Sequence, residues 1–404
     1  MRKSIEPTLA RELILSVAPQ EPETETLPLM SLFGRTLAQD MYALIAIPPF
    51  DRSPFDGYAL RGTDTAAASE AAPVTLTITE EIAAGAAPTI ALGAGMAAKI
   101  LTGAPVPEGA DATVKFEDTI FTDSTVTFTA PVRANSNIVR AGDDIACGEL
   151  IARRGDVLTP AIIGLLAAVG LAEATVFRRP RVAILNTGSE LAEPGAPLAP
   201  AQIYNSSAFS LIGALRAMGV DAYSIGVVPD DSAAIADRIQ DWLPECDFLI
   251  TTGGASVGDY DFAGSAAERL GARVLFWKVK MKPGGAMLAA ELDGKLILSL
   301  SGNPGAALLG LQYIAAPFIN RLAGQREIMP APVEVRLRID HRAGPRARLS
   351  RGYLEFEGGF AYFIERGNQG GSALASFRDC DLLAEIPASD SPIAAGTIVK
   401  AYRI

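Results

Sequence analysis

Arg181-Val182-Ala183-Ile184-Leu185 continues without a break into Asn186-Thr187-Gly188-Ser189-Glu190. A short apolar run bounded by turn residues has the pattern of a strand covered on both faces, as parallel sheets bury them. The alternation then repeats downstream. Phe209 to Met218 reads as an amphipathic helix closed by Gly219, Ser224 to Val228 as a strand, and Ser232 to Leu243 as a helix. Phe248-Leu249-Ile250-Thr251 is a third strand, followed by helix Asp261 to Leu270 and strand Val274 to Lys278. Met287 to Glu291 and Lys295 to Leu300 form a hairpin around Asp293-Gly294, and a helix spans Gly305 to Leu322. Strands alternating with helices specify a mostly parallel sheet covered on both sides, so residues 179–325 are expected to be a central α/β domain.

Upstream, Leu9 to Val17 reads as a helix, followed by an acidic, Pro-rich link and a short helix near Met30 to Ala38. From Ile47 to Val139 the character changes. Alternating runs such as Val74-Thr75-Leu76-Thr77-Ile78 and Thr125-Val126-Thr127-Phe128-Thr129 are separated by Gly, Pro and Asp, the signature of a small all-β unit. Thr159-Pro160 opens a helix through Val169 that Gly170 closes. The expected fold is multidomain α/β plus β. Residues 1–46 with 140–178 form a helical linker, 47–139 an inserted small β domain, 179–325 the α/β domain, and 326–404 a small barrel-like β domain. The last rests on strands Val333 to Ile339, Tyr353 to Phe356 and Ile398 to Tyr402.

The chain has 404 residues, 49% of them apolar and 20% charged, with a net charge of −11. Non-specific nucleic-acid binding needs a positive field, so that class is excluded, and an anionic ligand must be met by local lysines and backbone N–H groups. The start shows no signal-peptide core, and Ile162 to Val176 is too short to span a bilayer and carries Glu173, so a cytoplasmic protein off the membrane is expected. Cys147, Cys246 and Cys380 have no metal-ligand spacing and read as reduced thiols. His341 is the only histidine, which removes the imidazole-dependent triads and most catalytic zinc sites. It sits in Asp340-His341-Arg342, and a solvated side chain is expected there.

In open α/β sheets the ligand lies beyond the carboxyl ends of the strands. Those ends deliver Asn186-Thr187-Gly188-Ser189-Glu190, Pro229-Asp230-Asp231 and Thr252-Gly253-Gly254-Ala255-Ser256-Val257-Gly258-Asp259-Tyr260-Asp261. They also deliver Met281-Lys282-Pro283-Gly284-Gly285 and Ser301-Gly302-Asn303-Pro304. One such turn would mean little; five together mean a site for an oxyanionic small molecule. Gly253-Gly254 and Gly258 leave room for backbone N–H groups against phosphate, although the same spacing also makes a plain tight turn. Asp259 and Asp261 are either helix caps or Mg²⁺ ligands, with Glu190 and Asp230 able to complete the set. Lys278, Lys280 and Lys282 alternate, which fits either an edge strand guarded by lysines or a basic lining. Asn303-Pro304 caps a helix whose free N–H groups would face the same rim.

Two further stretches lie outside this domain: Pro48-Pro49-Phe50-Asp51-Arg52-Ser53-Pro54-Phe55-Asp56-Gly57-Tyr58-Ala59, and Leu101-Thr102-Gly103-Ala104-Pro105-Val106-Pro107-Glu108-Gly109-Ala110-Asp111. They resemble the Ser-x-x-Asp-Gly-Tyr-Ala and Thr-Gly-Ala-Pro-x-Pro-x-Gly-Ala-Asp signatures of the molybdopterin molybdenumtransferases, the MoeA family, related to the gephyrin E domain. Thr187-Gly188-Ser189-Glu190-Leu191 is similar to that family's Thr-Gly-Asp-Glu-Leu, and the Gly253-to-Asp259 turn to its Gly-Gly-x-Ser-x-Gly-Asp. The resemblance runs over the whole chain in order. It implies four domains, an elongated homodimer joined through the linker, and release of AMP from adenylylated molybdopterin with molybdate insertion, assisted by Mg²⁺.

On this resemblance Asp56, Thr102, Glu190, Asp259, Lys278 and Lys282 are catalytic, and Glu190, Asp259 and Asp230 hold the metal. Arg140, Thr187, Gly188, Asp230, Gly253, Gly254, Ser256, Gly258, Pro283, Gly302 and Asn303 bind the pterin nucleotide. Asp56 and Thr102 would arrive from the other subunit. Partners would include the adenylyltransferase of the pathway and molybdoenzyme apoproteins. The departures are Gly285 and Ala306, where the family has a lysine and a serine, and Glu357, in place of a late arginine. They favour one alternative, a paralogue that binds or hydrolyses the pterin without loading molybdenum or takes another oxyanion; a second alternative, from another class, is a gephyrin-like scaffold.

Overall fold

The computed structural model describes residues 2–254 and 262–404. At its centre is a seven-stranded sheet. In spatial order its strands are Arg2–Ile5, Arg273–Val279, Leu288–Leu292, Lys295–Leu300, Phe248–Thr252, Arg181–Thr187 and Asp221–Val228. Neighbours pair in parallel except at Leu288–Leu292, which is antiparallel to both strands beside it. The hairpin is the cause: Leu292 pairs with Lys295, and Asp293 and Gly294 take φ of 52° and 76°, as a two-residue turn requires. Val182, Ile184, Phe248, Ile250 and Leu298 face one core, while Ala183, Leu185, Leu249 and Ile297 face the other. Both faces are apolar, which is why these strands read as continuous apolar runs.

Residues 1–46 depart from the helical unit expected of them. Arg2–Ile5 pairs with Arg273–Val279, and helix Pro7–Leu15 buries Ala10 and Ile14 in the same core as Phe276 and Phe318. This first strand and helix therefore belong to the central α/β core. Near Met30 the expected helix shrinks to the 3-10 turn Leu29–Ser31. The linker is largely β: Thr24–Pro28 pairs with Glu173–Phe177, and Met41–Tyr42 with Leu150–Ala152. Its helix is Pro160–Ala168, begun as expected by Thr159, whose hydroxyl accepts from the Ile162 N–H at 3.4 Å.

Two six-stranded sheets complete the chain. One, between Gly57 and Phe128, is the small β unit, ordered Ala112–Lys115, Gly57–Leu60, Met96–Ile100, Val74–Ile82, Thr125–Phe128 and Ile120–Phe121. The other contains a closed barrel of Ala347–Glu357, Phe360–Glu365, Val333–Leu337, Ile398–Arg403 and Leu382–Ile386, the first and last strands pairing. The short strand Met281–Lys282 leaves the central domain to pair with Ala347 and Arg348 of that barrel. The barrel is thus tied directly to the lysine-bearing turn. Among the described residues no helix is long and apolar enough to cross a membrane.

His341, expected in solvent, is only 5% exposed. Its backbone exchanges two 2.8 Å hydrogen bonds with Ile393, and its Nδ1 lies 3.9 Å from Glu365 Oε2. Burial holds the imidazole pKa below its ordinary value, against the opposing pull of Glu365. A pKa lowered by folding means that the unfolded chain binds the proton more readily. The stabilising effect of the neutral ring is therefore complete above about pH 6.5 and is lost as pH falls below it. The midpoint of thermal unfolding should drop between pH 7.5 and 5.5, and His341→Gln should flatten that slope. An unchanged slope in the variant would assign the loss to carboxylates instead.

Candidate active site

The carboxyl ends of the parallel strands open on a cavity of about 590 Å³. Its floor is backbone: a Cβ on Gly253 would lie 2.5 Å from Thr187 Oγ1 and 2.6 Å from Thr187 O, and one on Gly302 would lie 3.4 Å from Gly253 Cα. Only glycine fits at Gly253, whose φ is 91°, so the strand ends carrying Thr187 and Gly253 approach closely, while the contact at Gly302 is an ordinary van der Waals one. Thr187 Oγ1 is buried on this wall without a hydrogen-bond partner among the described residues. An unsatisfied buried hydroxyl is costly, and a ligand in the cavity would relieve it. Behind the wall, Asn186 Nδ2 donates to Thr252 Oγ1 at 2.6 Å, and Asn205 Nδ2 donates to Asn186 Oδ1 at 3.2 Å. Asn205 Oδ1 also caps helix Ser206–Ala217, so the rim is pinned to a helix start.

Glu190 and Asp230 line the same cavity, with Gly254 and Asn303. The Glu190 carboxylate packs against Gly188, where a Cβ would meet Oε2 at 2.4 Å. Asp231 caps the next helix, accepting from the Ala233 and Ala234 N–H groups at 3.0 and 2.8 Å, which leaves its neighbour Asp230 to the cavity. Two carboxylates beside a hydroxyl and glycine amides suit Mg²⁺, which takes one or two carboxylates and fills its octahedron with phosphate and water oxygens. Ser256, Gly258 and Asp259 lie outside the described residues.

A second cavity, of about 620 Å³, adjoins the first, and Ala286 lines both. It is lined by Lys278, Lys282 and Arg346, with Ser4, Pro283 and Gly285, and by no carboxylate among the described residues. None of the three cations forms an ion pair with a described residue, whereas Lys280 bonds Glu6 Oε1 at 2.8 Å. The lysines do not share one face, because Lys278 takes a φ of 69° and breaks the alternation. Lys278 does not guard an edge, since its strand Arg273–Val279 lies between Arg2–Ile5 and Leu288–Leu292, whereas Lys282 sits on Met281–Lys282, the edge strand of the barrel sheet.

The helix after Asn303 differs from expectation. Asn303 stands at the N-cap position, but its side chain makes no capping bond. The Ala306 N–H donates to Gly371 O at 2.8 Å, so a barrel loop takes up a helix amide that was expected to be free. That loop is organised by Arg351, which is 0% exposed. The guanidinium donates to Gln369 Oε1 (3.2 Å) and to the carbonyls of Ala373 (3.2 Å), Gly370 (3.1 Å) and Asn368 (3.3 Å). Burial lowers its pKa from the ordinary guanidinium value, yet an arginine keeps its charge at neutral pH.

In the small β unit Asp56 and Thr102 are brought together: the Thr102 N–H and hydroxyl both donate to Asp56 Oδ1 at 2.7 Å. The Thr102 hydroxyl bond, followed by the N–H bond, holds the Asp56 carboxyl below its usual range. Arg140 is paired with Asp51 at 2.5 Å and bonds Asn135 at 2.6 Å. None of Asp56, Thr102 and Arg140 lines either cavity of their own chain.

The chain aligns with the molybdopterin molybdenumtransferase of Bacillus subtilis at 34% identity, over 95% of its own length and 91% of the relative's. It belongs to the MoeA family. The Staphylococcus aureus molybdopterin molybdenumtransferase is 32% identical over 93% of this chain and 90% of its own. A crystal structure of the molybdopterin biosynthesis MoeA protein of Pyrococcus horikoshii superposes with a TM-score of 0.83 and 31% identity, covering 99% of both chains. Residues 5–170 match the MoeA N-terminal region (domains I and II), 183–321 a probable molybdopterin binding domain, and 334–404 the MoeA C-terminal region (domain IV). The chain is thereby an enzyme of molybdenum-cofactor biosynthesis.

Against the MoeA pattern, the departures take on a structural form. A Cβ on Gly285 would lie 2.4 Å from Val279 O and 2.5 Å from Met281 O, so this backbone has no room for the family's lysine. Ala306 is buried under Gly371, whose own Cβ would lie 3.3 Å from that of Ala306. Glu357 does not stand where a site arginine would: it pairs with Arg338 on the exposed outside of the barrel. The arginine near the helix start is Arg351, whose Nη1 lies 3.1 Å from a Cβ built on Gly305. Sequence reasoning missed Arg351, Arg346 and Ser4. The signal for Arg351 was the glycine-dense run Gly367-Asn368-Gln369-Gly370-Gly371, a loop free to wrap a cation.

Proposed function

We propose that the chain is a molybdopterin molybdenumtransferase that takes adenylylated molybdopterin and molybdate, releases AMP and leaves molybdenum in the dithiolene. The observation that carries this reading is the joined pair of cavities, one with carboxylates and glycine amides, the other with three cations that no described residue pairs. Water adds to phosphorus, the bridging P–O bond breaks and AMP leaves. The two dithiolene sulfurs displace one molybdate oxygen, which departs as water with both thiol protons. Lys278, Lys282 and Arg346 would bind the oxyanions, and neutralising such charge is where preorganised cations contribute most. Thr187, Gly253, Gly254 and Gly302 would orient the phosphoanhydride. Glu190 and Asp230, with Asp259 by its motif, would hold Mg²⁺, which when bound offsets phosphate charge and polarises phosphorus.

Asp56 and Thr102 line neither of the two joined cavities in their own chain, which supports a homodimer in which a second copy delivers them. Exposed Met30, Leu44 and Ile45 on the linker give that dimer an apolar face. The enzyme would act in the cytoplasm, between the adenylyltransferase and molybdoenzyme apoproteins.

The test follows AMP release and bound molybdenum together, with Mg²⁺ and graded molybdate. Lys282→Ala should cut molybdenum uptake about 10²-fold, as removal of one oxyanion-stabilising group does, with a smaller effect on AMP release. Failure of the wild-type protein to release AMP or take up molybdenum would sink the reading. AMP release alone would favour the paralogue that does not load metal.

A further inference from the structure

We propose that a third cavity, between the central domain and the barrel, is a separate ligand site for a small carboxylic acid with an apolar body and one hydrogen-bond donor. The cavity has a volume of about 400 Å³, within the range of small-molecule sites, and shares no lining residue with the two cavities above. Helix Pro7–Leu15 contributes Arg11, helix Ser206–Ala217 contributes Ala214 and Ala217, and the barrel contributes Leu383 and Tyr402.

The polar groups here owe their state to one proline. Pro317 has no N–H, so the carbonyl of Tyr313, four residues earlier, loses its helical donor. The backbone widens into a π-turn over Leu311–Ala315 at this point, a distortion that is frequent at functional sites. Arg11 Nη1 reaches the Tyr313 carbonyl at 3.5 Å, the far limit of a hydrogen bond, and the guanidinium lies 4.8 Å from the Tyr313 ring centroid. Arg11 is 8% exposed and forms no ion pair with a described residue. Glu385 acts on the hydroxyls of Tyr313 and Tyr402 and does not pair with Arg11. A nearly buried cation is thus left with a ring face and one long bond. On the same π-turn Gln312 Oε1 is buried without a donor among the described residues.

Arg11 and Gln312 both line one apolar-walled space. A carboxylate would answer Arg11 with charge-assisted hydrogen bonds, and a neighbouring N–H or O–H would answer Gln312. Met218, Pro317, Met329 and Leu383 would pack the body of the ligand. The site does not depend on the proposed transferase activity, since it uses none of the same residues.

Indole-3-acetate carries all three features and is the probe, titrated into the full-length protein by calorimetry and thermal shift. Saturable binding with a raised unfolding temperature is expected, with indole-3-ethanol, which lacks the carboxylate, binding about tenfold or more weakly. Arg11→Met keeps the stem and removes the charge, and should weaken indole-3-acetate by a similar factor. Ala217→Phe fills the cavity mouth from an exposed helix position and should block binding even if Arg11→Met folds poorly. Lys282→Ala should leave binding unchanged. Absence of saturable binding, binding indifferent to Arg11→Met and Ala217→Phe, or binding abolished by Lys282→Ala would each overturn the proposal.

Discussion

Arg351→Ala should destabilise the protein by about 3–5 kcal/mol, as several buried carbonyls lose their donor together, and abolish molybdenum uptake. Three backbone carbonyls and the Gln369 side chain converge on this guanidinium, with no carboxylate among them. Each carbonyl left buried without a donor costs about 1–3 kcal/mol, reduced where water reaches it. The loss does not stay local. Gly371 O takes the Ala306 N–H, and Ala373 O lies 3.2 Å from a Cβ built on Gly305, so a loosened loop uncovers the helix start beside the substrate cavity. Urea unfolding of Arg351→Ala should shift to a clearly lower midpoint with an unchanged slope. Arg351→Lys should recover little of it, because one ammonium cannot reproduce the planar fork. A midpoint equal to wild type would show that the loop holds itself.

The central domain was legible because its strands are buried on both faces. Val182 to Leu185 and Phe248 to Ile250 carry no polar residue, and no other arrangement hides such runs so economically. Its rim was legible for a different reason. A ligand beyond strand ends draws its groups from the turns, and these turns carry Gly, Thr, Asp, Glu and Lys together. What escaped was whatever depends on long-range pairing. Arg2–Ile5 is four residues of unremarkable polarity, yet it finds a partner more than 270 positions away and keeps the strand carrying Lys278 from being an edge. Thr24–Pro28 alternates weakly and becomes a strand only because Glu173–Phe177 lies beside it. His341 and Arg351 sit among charged or polar neighbours in sequence, so nothing local marks them as interior; the closing of the barrel buries them.

Gly285→Lys, which would restore the residue usual in the MoeA family, should weaken the protein and lower molybdenum uptake. The first atom added is already excluded: Val279 O and Met281 O lie 2.4 and 2.5 Å from the Cβ position, and both are backbone. Backbone cannot swing aside as a side-chain tip can. The turn is also closed on itself, with the Val279 N–H donating to Gly285 O at 3.0 Å and the Lys278 N–H to Met287 O at 2.8 Å. Making room means opening those bonds, and overpacking of this kind typically costs about 1–3 kcal/mol, with backbone clashes toward the upper end. Lys278, Lys282 and Pro283 ride on the same turn, so the cation-lined cavity should lose its shape as the turn opens. In this chain, then, the missing lysine goes with a closed turn beside a cavity that Lys278 and Arg346 line. Thermal unfolding and molybdenum uptake of Gly285→Lys separate the two accounts. A lowered midpoint with lower uptake supports the closed turn. An unchanged midpoint with higher molybdate affinity would mean that the turn yields, and that the lysine is simply absent from a site otherwise like the family's.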